Sequence, residues 1–251
     1  MDSVWKSFDA IYCISLISRP DRYERAQRIF NKYQIPVEFY RPTKDPVSGE
    51  QGCFNSHTAI ARLALKCNYR RILIFEDDII VNEDAFAHAS ELMDFLASSI
   101  EWNILYFGSL PAPRSVFGYQ GANSRIYQTE AWLTHAYALN NQKTLQYVSD
   151  QTYFPLGKSI DTIYRSSIPK CYALYPSMFY QGDVSSDIGF QGIQNIQLTN
   201  LIPYSAHHLF ITTHEDWVYH TRLPAYYLYI LVFLSVCVVG YVMKKTLVIK
   251  K

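Results

Sequence analysis

Between residues 9 and 110, short apolar runs alternate with charged, amphipathic stretches, the order that an α/β sheet requires. Residues 10–16 (AIYCISL) predict a first strand. Pro20 suits the first turn of a charged helix reaching about Tyr33, because proline has no amide hydrogen to leave unbonded there. Residues 37–40 predict a short second strand, and 41–50 a loop rich in Pro, Lys, Asp and Gly. Asn55 or Ser56 is the expected cap of a helix running to about Cys67. Ile72, Leu73, Ile74 and Phe75 then form a continuous apolar run, the mark of a strand buried on both faces. That run ends on three carboxylates, Glu76, Asp77 and Asp78. Phe86, Met93 and Leu96 share one helical face within 83–98, and 104–107 predicts a strand stopping at Gly108.

The second half is less regular. Strand-like runs fall at 125–127, 134–139 and 171–175, with helices at 141–149 and just after Asp161. Residues 183–217 are polar and read as loop plus linker. From 225 to 243 the chain is uncharged and mostly apolar, close to the ~20 residues that cross a bilayer as a helix. Tyr226, Tyr227 and Tyr229 at its start and Tyr241 near its end match interfacial aromatic belts, and Lys244, Lys245, Lys250 and Lys251 follow. The alternative is a buried core helix, a poor match to a segment followed by four lysines. The expected organisation is a catalytic domain at 1–215, a juxtamembrane linker at 216–224, a transmembrane helix at 225–243 and a basic tail at 244–251.

Composition narrows the function. With 49% hydrophobic residues, the 251-residue chain can bury one substantial core. Its 23 basic and 22 acidic residues are interspersed through the polar part rather than gathered in a basic stripe, so no nucleic-acid partner is expected. The five cysteines are odd in number, without C-x-x-C or a Cys/His grouping at zinc spacing, and read as buried thiols. Together with the absence of an N-x-[ST] acceptor and of an apolar run near residue 1, they favour a single-pass membrane protein whose catalytic domain faces the cytosol. The lysines after 243 favour the opposite orientation.

Ligands of open α/β sheets bind beyond the carboxyl ends of the strands, so Glu76, Asp77 and Asp78 face a ligand crevice. Three adjacent carboxylates repel one another, and a hard divalent cation such as Mn²⁺ or Mg²⁺ would hold them ionised. The competing reading is a solvated turn leading into a helix cap.

Several segments in order resemble glycosyltransferase family 25, which includes lipooligosaccharide β-galactosyltransferases and collagen hydroxylysine galactosyltransferases. They are Ser18-Arg-Pro-Asp-Arg22, Gly49-Glu-Gln-Gly-Cys-Phe-Asn-Ser-His57, Leu73-Ile-Phe-Glu-Asp-Asp78, Thr134-His-Ala-Tyr137, the Asp161 region, and 173–181 with Ser186-Asp187. The combination of G-E-x-G-C-x-x-S-H with E-D-D is the specific part. The resemblance implies a GT-A-like nucleotide-diphosphosugar transferase fold. It also implies metal-dependent, usually inverting, transfer of a hexose from a nucleotide sugar such as UDP-galactose or UDP-glucose to a glycan, lipid-linked or protein acceptor.

Within that resemblance, Asp78 is the expected direct metal ligand. Glu76 or Asp77 would reach the metal through water or contact the ribose. Arg19 and Arg22 would meet the nucleotide or its phosphates, or else remain surface charges at a helix start. Glu50 and His135 are placed near the sugar nucleotide, and His57 is a catalytic candidate that would orient a carboxylate or donate to the sugar nucleotide, against the simpler reading of both histidines as packed core residues. Asp161 is the expected base for the acceptor hydroxyl, with an N-cap as its competing role; Asp187 is the second choice, and Gln181 would touch donor or acceptor. Two other readings stay open: a catalytically inactive member of the fold serving as a binding or scaffold protein, and another metal-dependent nucleotide-processing enzyme.

Overall fold

The computed structural model describes residues 2–111, 125–153 and 159–182. A short helix, α1 (Asp2–Trp5), leads into β1 (Ala10–Ile14), α2 (Pro20–Lys32), β2 (Glu38–Tyr40), α3 (Gly49–Lys66) and β3 (Arg71–Glu76). Then come β4 (Ile79–Val81), a 3-10 turn (Glu83–His88), α4 (Ala89–Ala97), β5 (Ile104–Pro111), β6 (Ile126–Gln128) and β7 (Ala131–Asn140). The described part closes with α5 (Gln142–Ser149), α6 (Ile160–Ser167), β8 (Cys171–Leu174) and β9 (Phe179–Gln181).

Seven strands form a mixed sheet in the order β2-β1-β3-β7-β5-β8-β6, and β4 pairs with β9 in a separate antiparallel ribbon. β1 runs parallel to both β2 and β3, whereas β7 is antiparallel to β3 and β5. The period-2 alternation of side chains divides the core into two layers. Cys13, Leu73, Phe75, Leu105 and Phe107 face the layer holding Phe30 of α2 and Phe95 of α4. Tyr12, Ile72, Ile74, Ile104 and Tyr106 face the opposite layer, with Ile60 of α3, Val148 of α5 and Ile163 of α6. β3 lies between β1 and β7 and is covered on both faces, which is why its apolar run is unbroken.

The chain leaves β1 for β2 on one flank and returns through α3 to β3 on the other. A crevice therefore opens at the carboxyl ends of β1 and β3, where Ile14 pairs with Glu76.

Four expectations are corrected. The third helix starts at Gly49, more than a turn before Asn55, because the Ser48 hydroxyl accepts the Gln51 amide at 3.0 Å and caps it there. Ser56 instead bonds back to the Gly52 carbonyl inside the helix, at 2.7 Å. β5 does not stop at Gly108 but runs on to Pro111 through register shifts against β7. The 83–98 segment is a 3-10 turn followed by α4 rather than one helix. Cys67 is exposed, since it lies past the buried stripe of α3 as its C-cap. The expected linker, the 225–243 segment, Asp187 and Cys237 lie outside the described residues; among those described, no helix is long and apolar enough to cross a membrane.

Candidate functional site: an acidic crevice at the end of β3

The crevice is built from the end of β3, helices α2, α3 and α6, strand β7 and the β4–β9 ribbon. The end of β3 supplies Glu76, and the turn after it supplies Asp77 and Asp78, both buried. Arg22, two residues past the Pro20 start of α2, reaches across to them. Its Nη2 lies 2.7 Å from Asp77 Oδ1 and 3.0 Å from Asp78 Oδ2. The guanidinium offered to phosphates in the sequence reading is thus engaged with carboxylates. Arg19, one residue before the helix, forks onto Asp21 through Nε at 3.0 Å and Nη2 at 2.9 Å.

The β4–β9 ribbon fixes the far wall. Ile79 pairs with Gln181, which sets the Gln181 amide beside Asp78, Nε2 to Oδ2 3.3 Å, while Gly182 N donates to the Asp78 carbonyl. Asp78 Oδ1 is buried without a hydrogen-bond partner. Burial, then the Glu76 charge, pushes the Asp78 carboxyl up to about 7 despite Arg22. Burial likewise raises Asp77, with Arg22 opposing.

Glu76 behaves differently. Burial pushes its carboxyl upward, but His57, His135 and Thr134 outweigh this and hold it below the ordinary value. Thr134 Oγ1 donates to Glu76 Oε1 at 3.2 Å, and His57 Nε2 lies 3.6 Å from the same oxygen. His57 is fully buried on α3, with Nδ1 2.8 Å from the Tyr137 hydroxyl, which is 2.9 Å from that of Tyr164. His135 is held by Nε2 against the Phe179 carbonyl at 3.1 Å, and burial depresses its pKa. Its Nδ1 is buried and unpartnered.

Asp161 lies in the first turn of α6. It accepts from Thr162 N at 2.7 Å and from the Ser159 hydroxyl, and its Oδ2 lies 3.5 Å from Leu133 N. The expected N-cap is therefore Ser159 rather than Asp161 itself. Leu133 has φ 72°, a left-handed conformation costly for a branched side chain, immediately before Thr134 and His135. Cys53 links the two halves: after burial, the carboxylates of Glu76, Asp161, Asp78 and Glu50 all push its thiol upward. Glu50, Cys53, His57, Glu76, Asp78 and Asp161 thus share one electrostatic neighbourhood.

The sequence reading missed Cys53 as a site residue, along with Tyr137 and Tyr164. Cys53 and His57 are four residues apart and share a face once the helix begins at Gly49; starting it at Asn55 hid that spacing. Sγ of Cys53, a nitrogen of His57 and a Glu76 oxygen lie within 4.8 Å of one another, a Cys/His grouping in space that the sequence reading, which looked for zinc spacing along the chain, did not reach. The tyrosines carried no such signal, because only the β7 and α6 packing brings them behind His57.

These features define a class: an open mixed α/β sheet with a carboxylate-rich crevice at the ends of its parallel strands. The family model "Glycosyltransferase family 25 (LPS biosynthesis protein)" matches residues 42–162, so this stretch carries the family 25 signature that the motifs pointed to. Among relatives, "Inactive glycosyltransferase 25 family member 3" of Homo sapiens is 27% identical over 161 residues, 53% of this chain and 27% of that protein. "Lipooligosaccharide biosynthesis protein lic2B" of Haemophilus influenzae is 32% identical over 93 residues, 30% of this chain and 35% of that protein. The matches span well under half the length of these relatives. A glycosyltransferase involved in glycosylation of the major capsid of PBCV-1 aligns with 71% of this chain and 95% of its own, at 12% identity and TM-score 0.39. That likeness is too low to carry a functional argument.

Proposed function

We propose that the chain is a membrane-anchored, metal-dependent glycosyltransferase that moves a hexose, galactose or glucose, from a UDP-sugar to a glycan, lipid-linked or protein acceptor with inversion. The observation that carries this reading is Asp78 Oδ1, a buried carboxylate oxygen without a hydrogen-bond partner at the end of β3. An oxygen donor so placed, among Glu76 and Asp77, fits a hard cation. Asp78 would hold Mn²⁺ or Mg²⁺ together with Glu76. The cation, when bound, supplies positive charge to a departing diphosphate.

The remaining roles belong to the chain's own groups. Arg22 holds Asp77 and Asp78 in place and offsets their repulsion before donor arrives. Gln181 orients Asp78. His57 and Thr134 keep Glu76 ionised and aimed. Asp161, its carboxylate steadied by Ser159 and Thr162, accepts the proton of the acceptor hydroxyl. Asp187, outside the described residues, is the second candidate for that step. Residues 225–243 hold the protein to the bilayer, with the catalytic domain on the cytosolic side.

A second reading is a binding protein of the same fold without turnover. Arg22 already neutralises part of the acidic cluster, and the Homo sapiens relative bears the name inactive. Screening nucleotide sugars for donor hydrolysis and transfer, with and without Mn²⁺, separates the two. The transferase reading expects Mn²⁺-stimulated hydrolysis that Asp78→Asn removes while the protein stays folded. It expects Asp161→Asn to suppress transfer while donor still binds. UDP binding without any turnover across the panel would favour the binding protein. Full activity in Asp78→Asn would end the metal assignment.

A further inference from the structure

We propose that Cys53, His57 and Glu76 form a second cation site, for a borderline-soft divalent metal of the zinc class. It borders the hard-cation position at Asp78 and shares Glu76 with it, but its soft ligands Cys53 and His57 are its own and it does not depend on the transferase reading. Cys53 and His57 stand one turn apart on α3, and Glu76 meets them from the end of β3. Their donor atoms lie within 4.8 Å of one another, and the His57 Nε2 to Glu76 Oε1 distance is 3.6 Å. Tetrahedral zinc, with bonds of about 2.0–2.3 Å, needs ligand atoms roughly 3.3–3.6 Å apart. The nitrogen and oxygen are already at that spacing. The sulfur lies within 4.8 Å of both, and a turn of the partly buried Cys53 side chain about its Cα–Cβ bond can bring it to bonding distance.

The surroundings fit a bound cation better than an empty cluster. His57 Nε2 is buried with no hydrogen-bond partner, whereas Nδ1 is tied to the Tyr137 hydroxyl and through it to Tyr164. Such an outer partner on one ring nitrogen fixes the ring and leaves the other nitrogen aimed at a metal. Glu76, Asp161, Asp78 and Glu50 all bear on Cys53, a field that resists a lone thiolate and attracts a cation. Metal binding breaks the Cys53 S–H bond, the sulfur keeping the electron pair as thiolate and the proton leaving to solvent. A thiolate, an imidazole and a carboxylate select zinc over Mg²⁺ or Mn²⁺. Three protein ligands leave a fourth position for water or an oxygen of a bound molecule.

The test uses the full chain, stripped with chelator and titrated with Co²⁺ as a spectroscopic substitute for zinc. Co²⁺ should bind with a sulfur-to-cobalt charge-transfer band in the near ultraviolet that saturates at one equivalent per Cys53. Cys53→Ser should abolish the band with the circular dichroism spectrum unchanged, and Glu76→Gln should weaken Co²⁺ binding at least about tenfold. Cys67→Ser, at the exposed sulfur, and Asp78→Asn should both keep the band. Absence of the band in the native chain, its survival in Cys53→Ser, or its loss in Asp78→Asn would overturn the proposal. Loss of transfer activity in Asp78→Asn with the cobalt band intact would support the proposal, because the thiolate-bound metal would then not be the one held at Asp78.

Discussion

Gly108 is the residue on which the geometry around His135 depends. A Cβ there would collide with the Phe179 carbonyl and with His135 Nε2, the two atoms whose hydrogen bond joins β7 to β9. Gly108→Ala should therefore cost about 3 kcal/mol in urea unfolding, more than an ordinary strand glycine replacement. His135 makes a pH prediction. Burial holds its folded-state pKa below the ordinary 6.5, so the unfolded chain takes up a proton first as pH falls. Stability is then full above pH 6.5 and declines as pH drops below it. His135→Gln should flatten that decline in a series of melting temperatures; an unchanged slope would show that other groups govern it. At this scale the sequence exposed the acidic triplet, both histidines and Asp161, because charges ending an apolar run and a spaced motif are visible one residue at a time. It concealed the Arg22 pairing and the tyrosines behind His57, since those contacts join residues dozens of positions apart.

Helix α3 is the element that aims the site. Its Ser48 cap fixes where the first turn starts, and that start puts Glu50, Cys53 and His57 at the crevice. Ser48→Ala should lower stability by about 1 kcal/mol in chemical denaturation, with full retention meaning that the cap is dispensable. The strands with long apolar runs, β1, β3 and β7, were legible because burial on both faces leaves a continuous signal. The β4–β9 ribbon was not. Its three-residue strands are too short for periodicity, and their pairing spans residues 79 to 181, a distance that only the folded chain closes. Helix α3 itself was placed too late because Asn55 and Ser56 look like caps, whereas Ser48 actually binds the free amide.

For the whole molecule, the apolar 225–243 segment carries the largest untested consequence. If it spans a bilayer, the protein should stay in the membrane pellet after alkaline carbonate extraction, and removal of that segment should release it. Protease added to sealed vesicles should then digest the domain ahead of residue 216 without detergent; full protection would place that domain across the membrane. The sequence by itself determined the alternating α/β order, the acidic strand end and the family 25 motifs. Each is written in local pattern: hydrophobic period, charge position and spacing within a few dozen residues. Only the tertiary structure decided how charge is shared among the carboxylates. Asp78 shares Arg22 with Asp77 and is nonetheless driven toward the neutral form, while Glu76 stays ionised against His57, His135 and Thr134. Burial and distance set that division, and both arise when α2, α3, β7 and β9 converge on the end of β3.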